Sequence, residues 1–192
     1  EKFYLGKEVI DLSYKTRPRS IKEIRNKAEI VRSIIQITTN TSGDSIDILR
    51  FVENEIRDKI DENFNFIVCT EDEMKSNYGT TYLNKNTICI REDVYYRACD
   101  GNSRDLFTIA HELGHLFLHS NQYVELARSS SDVKLYEDAE WQANTFAAEL
   151  LMPAKLITEC DTHFTLMNRF GVSYEAADIR LKKLGIYNTQ CC

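Results

Sequence analysis

Thr108-Ile109-Ala110-His111-Glu112-Leu113-Gly114-His115-Leu116-Phe117-Leu118-His119 contains H-E-x-x-H inside a run that is otherwise largely apolar. Together with Leu106 and Phe107, the apolar flanks predict a mostly buried helix. Four residues along a helix turn the direction by about 40° and advance it by about 6 Å. His111 and His115 therefore point the same way, and one nitrogen of each can reach a single Zn²⁺ at about 2.0–2.1 Å. Glu112 lies about 100° round from His111, beside the two rings rather than between them. A general base belongs there, close to a water at the metal without displacing it. Buried imidazoles and a buried carboxylate need partners, and a cation supplies them.

A catalytic zinc takes three protein ligands and keeps one position open. His119 is excluded, because on a continuing helix it stands ~12 Å along the axis from His111. The longer motif that ends in a third histidine fails too: its last position holds Asn121. His119 reads instead as a helix-end residue near the negative end of the dipole, and His163 as a surface residue. The stretch from Tyr136 to Pro153 offers the missing group. Ala139, Ala143 and Ala147 recur every four residues and let a second helix approach closely. Glu140 and Asn144 share a face at the same spacing. Glu140 is the expected third ligand, with Asn144 orienting a ligand histidine by accepting its other N–H. Glu137 shares the Glu140 face and is the alternative. Glu149 falls on the opposite face.

Working outward, Ser20-Ile21-Lys22-Glu23 has capping-box form, and Ile21, Ile24, Ala28, Val31 and Ile35 trace one helical face after it. A second helix is expected from about Ser45 to Ile60, with Ile46, Leu49, Val52, Ile56 and Ile60 inward. Phe64–Cys69, Gly79–Leu83 and Thr87–Ile90 read as strands joined by short turns, hence a small, mostly antiparallel sheet. The strand Thr87–Ile90 is expected to border the site and offer its edge to an extended peptide. Pro153 ends the helical run after Met152. A last helix runs from Ser173 to Leu184, stopped by Gly185. Residues 1–19 form a lead-in with a short strand around Phe3–Ile10, and residues 20–192 a single domain. The serine-rich loop 120–136, with Ser129–Ser131, reads as a lid or a simple mobile loop. The fold class is α+β.

Composition narrows the function classes. Seven Gly and two Pro in 192 residues exclude a collagenous or linker-rich chain. The longest apolar run, Phe66–Cys69, is far short of the ~20 residues a membrane helix needs. A net charge of −6 argues against direct nucleic-acid binding, which needs a basic face. Lys182-Lys183 reads as a solvated face. Six cysteines without a C-x-x-C pair predict free thiols in a reducing, cytoplasmic setting.

The run H-E-L-G-H-L-F-L-H, followed by E-W-Q-A-N-T-F-A-A-E-L-L-M-P, resembles the ImmA/IrrE family of zinc metallopeptidases. Phe170-Gly171-Val172-Ser173 with Arg180–Gly185 resembles that family's C-terminal segment. The resemblance implies a zincin-like core with His111, His115 and Glu140 on zinc and Glu112 as catalytic base. It also implies an endopeptidase whose protein partner is a DNA-binding, helix-turn-helix repressor in mobile-element or stress control. The alternative function is a non-hydrolytic, zinc-dependent regulator that acts by binding such a repressor. An intact Glu112 favours hydrolysis, since a purely structural site has no use for a base beside an open position.

Overall fold

The computed structural model describes residues 2–5, 8–11, 13–120, 125–127 and 133–186. Strands β1 (Lys2–Leu5) and β2 (Glu8–Asp11) pair antiparallel where one strand around Phe3–Ile10 was expected. A third, β3 (Ser13–Lys15), precedes the first helix, α1 (Ile21–Thr39). The capping box forms as its residues predict: the Ser20 hydroxyl accepts from Glu23 N–H, and the Glu23 carboxylate accepts from Ser20 N–H at 2.8 Å. Ile24, Ala28, Val31 and Ile35 are buried, but Ile21, in the first turn, is half exposed.

The second helical segment runs through α2 (Ile48–Arg50), a π-type turn (Phe51–Glu55) and α3 (Ile56–Lys59). The π turn holds an extra residue and rotates the face that follows it. Ile48, Phe51, Val52 and Ile56 point inward, while Ile60, just past the last helical residue Lys59, lies exposed.

Strand β4 (Asn65–Cys69) leads into the one-turn helix α4 (Glu71–Met74), then β5 (Gly79–Tyr82) and β6 (Thr87–Arg91). Between β5 and β6, Asn86 adopts the left-handed conformation that asparagine tolerates. The three strands form one sheet in the order β4-β6-β5. β5 and β6 are antiparallel, with Gly79 opposite Ile90, whereas β4 and β6 are parallel, with Asn65 opposite Thr87. The crossover through α4 carries the chain past the place that β6 later fills, which makes β6 the central strand. Thr87–Ile90 is paired on both sides and offers no edge to a peptide. Among the described residues, the edge beside the site belongs to β5.

Helix α5 (Glu92–Cys99) follows directly, then α6 (Ser103–His119), capped by Asn102. β7 (Glu125–Ala127) pairs with β3; Ser129–Ser131 of that loop lie outside the described residues. A 3₁₀ turn (Leu135–Glu137) leads to α7 (Ala139–Leu151), which ends before Pro153. Last come α8 (His163–Phe170) and α9 (Tyr174–Lys183), the latter capped by Ser173. Gly185 adopts φ +74° just past α9, as expected of a stop. His163 is half buried, stacked on Tyr174 and 3.1 Å from Asp178. The architecture is α+β, with α7 packed between α1 and α6 and a core built on Ile88, Ile90, Ile109, Leu113, Phe146 and Leu150. No described helix is long and apolar enough to cross a membrane. Cys69, Cys89, Cys99 and Cys160 are free thiols.

Candidate active site

The α6–α7 contact sets the geometry of the site. Gly114 lies against Ala143 so tightly that a Cβ there would stand 2.9 Å from the Ala143 Cα. With this close approach, Glu140, one turn before Ala143, reaches the histidine face of α6. His111 Nε2 and His115 Nε2 are 3.0 Å apart, and each lies 3.2–3.3 Å from an oxygen of Glu140. Tetrahedral donors about 2.05 Å from one ion stand roughly 3.3 Å from one another, so the spacing suits a single zinc. Asn144 Oδ1 lies 3.1 Å from His111 Nδ1. An amide oxygen only accepts, so His111 Nδ1 carries a proton, and in the neutral ring its Nε2 is bare. A bare nitrogen facing a carboxylate is a pair of acceptors that needs a cation between them, and the donor set fits one.

Burial raises the pKa of Glu140, but hydrogen bonds and charge from the two imidazoles outweigh it and hold the carboxylate well below its usual range. Burial likewise lowers that of His111, while Glu140 and the charge of Glu112 carry the net shift upward. Glu112, 5% exposed, is pushed upward chiefly by burial, against the pull of His115 and His111. Its carboxylate is held from β5. Thr81 Oγ1 donates to Oε2 at 2.6 Å, and a Cβ on Gly79 would stand 2.8 Å from Glu112 Cγ, so only glycine lets the strand lie this close. Gly79, Thr80, Thr81, His111, His115 and Glu140 line an open cleft of about 370 Å³.

Other residues fall elsewhere. Glu137 sits in the 3₁₀ turn before α7 and pairs with Lys15 at 3.6 Å, because α7 begins only at Ala139. His119 ends α6, but it is 1% exposed and its pKa is pushed down to about 4, mainly by burial. A neutral ring gains nothing from the helix dipole; it contacts His115 and Gln142 instead. Glu149 points away from the cleft to Arg25 and Arg180.

The model of the IrrE N-terminal-like domain, peptidase M78, matches residues 62–182. The chain belongs to the ImmA/IrrE metallopeptidase family. Over 90 residues it is 31% identical to Metallopeptidase ImmA of Bacillus subtilis (strain 168), a match covering 44% of this chain and 53% of that protein. The chain thus spans about half the length of the curated relative it matches. The family match includes β5 and both helices that meet at the cleft, and begins after α1.

Sequence reasoning missed three residues of this ImmA/IrrE site: Gly79, Thr81 and Gln142. The first two lie about thirty positions before Glu112, where no local periodicity links them to it. Gln142 carried a signal, a polar residue one position before the central alanine of the Ala139/Ala143/Ala147 stripe.

The tight contact at Gly114 gives a testable outcome. Gly114→Ala should destabilise the fold by about 1–3 kcal/mol, because the new methyl meets backbone that must shift. The same shift moves Glu140, so zinc affinity should fall with melting temperature. An unchanged zinc dissociation constant would show that the interhelical distance does not govern the donor spacing.

Proposed function

We propose that this chain is a zinc-dependent endopeptidase. The observation that carries the reading is the convergence of His111, His115 and Glu140 within 4.8 Å, beside the buried carboxylate of Glu112. His111, His115 and Glu140 hold the ion, and Asn144 orients His111. Zinc in that position supplies a Lewis acid for the scissile carbonyl and acidifies a water. Glu112 Oε2 is engaged by Thr81, which leaves Oε1 to take the proton of the attacking water and hand it to the leaving amine. The edge of β5 that is unpaired among the described residues lies along the cleft, so an extended peptide pairing there by main-chain hydrogen bonds brings a carbonyl over the three donors.

The substrate that the family resemblance implies is a DNA-binding repressor of the helix-turn-helix class, in mobile-element or stress regulation. Cytoplasmic action fits such a substrate and the free thiols. The protein as purified should hold about one zinc per chain, and His115→Ala should lose it. Glu140→Gln should lose metal while Glu137→Gln keeps it. Full zinc occupancy in His115→Ala, or loss only in Glu137→Gln, would overturn the ligand assignment. Mass spectrometry of a candidate repressor after incubation, with and without chelator, tests cleavage and gives the scissile bond.

A further inference from the structure

A chain of hydrogen bonds runs from the cleft to the lead-in. Gln142, fully buried, has its Nε2 at 2.9 Å from the carbonyl oxygen of Arg17 and 2.8 Å from that of Tyr136. Both partners only accept, so that end of the side chain must be the NH₂ and the other end the carbonyl. Gln142 Oε1 then faces His119 Nε2 at 3.2 Å, and an oxygen requires a donor there. His119 accordingly carries its proton on Nε2, which leaves Nδ1 bare. That bare nitrogen lies 3.3 Å from His115 Nδ1, so the proton between them belongs to His115. With Nδ1 protonated, His115 turns an unprotonated Nε2 toward His111 and Glu140.

We infer that His119 and Gln142 are positioning residues, which with the carbonyls of Arg17 and Tyr136 fix His115 as the Nδ1–H tautomer and aim its Nε2 at the donor cluster. The two ligand histidines are then served differently: His111 by Asn144 on the exposed side, His115 by a buried relay. Of the relay's two anchors, the Tyr136 carbonyl lies inside the segment 62–182 that matches the family model, and the Arg17 carbonyl lies outside it. Neighbouring contacts hold that anchor still. Thr16 N–H donates to the Glu137 carbonyl at 2.8 Å, Arg19 N–H to the Tyr136 carbonyl at 3.0 Å, and Arg19 Nη2 to the Leu118 carbonyl at 2.9 Å. The lead-in thereby clamps the 3₁₀ turn and the end of α6 at the point where the relay starts.

The inference rests on His115 being a metal ligand, so the experiment has two arms that fail separately. The first arm reads tautomers in the unmutated full chain, freed of metal, labelled with ¹⁵N and held at a pH where both rings are neutral, through two-bond proton–nitrogen correlations of the imidazoles. The expected result is His115 protonated on Nδ1 and His119 on Nε2. His115 protonated on Nε2, or an even mixture, overturns the relay whatever the metal does. The second arm measures zinc dissociation constants by chelator competition. Groups that orient a metal ligand from behind are typically worth 10–100-fold in affinity. His119→Phe and Gln142→Met should therefore bind zinc about 10–100-fold more weakly. His119→Asn, whose amide oxygen can accept in place of Nδ1, should stay near the wild type. Equal affinity in wild type and His119→Phe overturns the inference, as does equal weakening by Phe and Asn. A wild type that takes up no zinc refutes the metal reading instead, and the tautomer arm still decides the relay.

Discussion

Glu112→Gln is expected to cleave the protein substrate about 10²–10⁴-fold more slowly than wild type, with zinc content and fold unchanged. The substitution is chosen for what it preserves. Glutamine has the outline of glutamate, so the contact of Glu112 Cγ with Gly79 survives. The Thr81 hydroxyl can still donate to the amide oxygen that replaces the carboxylate. What is lost is the ability to take a proton. The side chain points to Thr81 and the β5 backbone rather than into the His111, His115 and Glu140 cluster, so donor spacing should persist. The assay compares repressor cleavage at equal zinc occupancy. Persistent partner binding with cleavage abolished is the expected outcome. If the variant relieves repression in cells as well as wild type does, the chain works as a zinc-dependent binding module and hydrolysis is not its mechanism.

The two helices that build the cleft were legible because their information is local. A repeat of four places His111 with His115 and Glu140 with Asn144, and the alanine stripe shows which face of α7 can come close. The strands were legible as strands, from their alternation and bounding turns, but their order was not. That β4 as well as β5 sits beside β6, and that β4 does so in parallel, depends on a crossover whose path no short window encodes. One clue was present, since Thr70-Glu71-Asp72-Glu73 has the same capping-box form as Ser20–Glu23 and does start a helix. Helix α5 gave less warning, because it begins at Glu92 straight after β6 with no capping side chain. The end of the second helical segment left no signal: the spacing that assigns Ile60 inward assumes a continuing helix, and α3 stops at Lys59. The groups that hold the site from behind were the least legible. Thr81, Gly79 and Arg17 act through a hydroxyl, a missing methyl and a backbone carbonyl, and only the fold brings them near Glu112 and Gln142.

Glu149→Gln is expected to cost about 3–5 kcal/mol of stability at pH 7, the usual result of removing one partner from a buried ion pair. Glu149 is 1% exposed and accepts both forks of Arg180, at 3.0 and 2.6 Å, and Arg25 Nη2 at 3.0 Å. Three helices therefore meet at one carboxylate: α1 through Arg25, α7 through Glu149 and α9 through Arg180. The substitution keeps the side-chain volume but leaves the Arg180 guanidinium buried with no opposite charge. At about 2–4 °C per kcal/mol for a chain of this size, the melting temperature should fall by roughly 6–20 °C. Zinc affinity measured well below melting should hold, because Glu149 faces away from the cleft. Burial alone raises the Glu149 pKa, yet the two arginines outweigh it and the net shift is downward. A depressed folded pKa gives stability that is complete above the unfolded value, about 4.3, and is lost as pH falls through the lower folded value. The gap between wild type and Glu149→Gln should consequently be widest near neutrality and close in acid, where protonation removes the same charge. Pairing Glu149→Gln with Arg180→Met should recover part of the loss, since the stranded cation is gone. A single variant within about 1 kcal/mol of wild type at pH 7 would mean that water reaches Arg180 and that packing, not the carboxylate, joins the three helices.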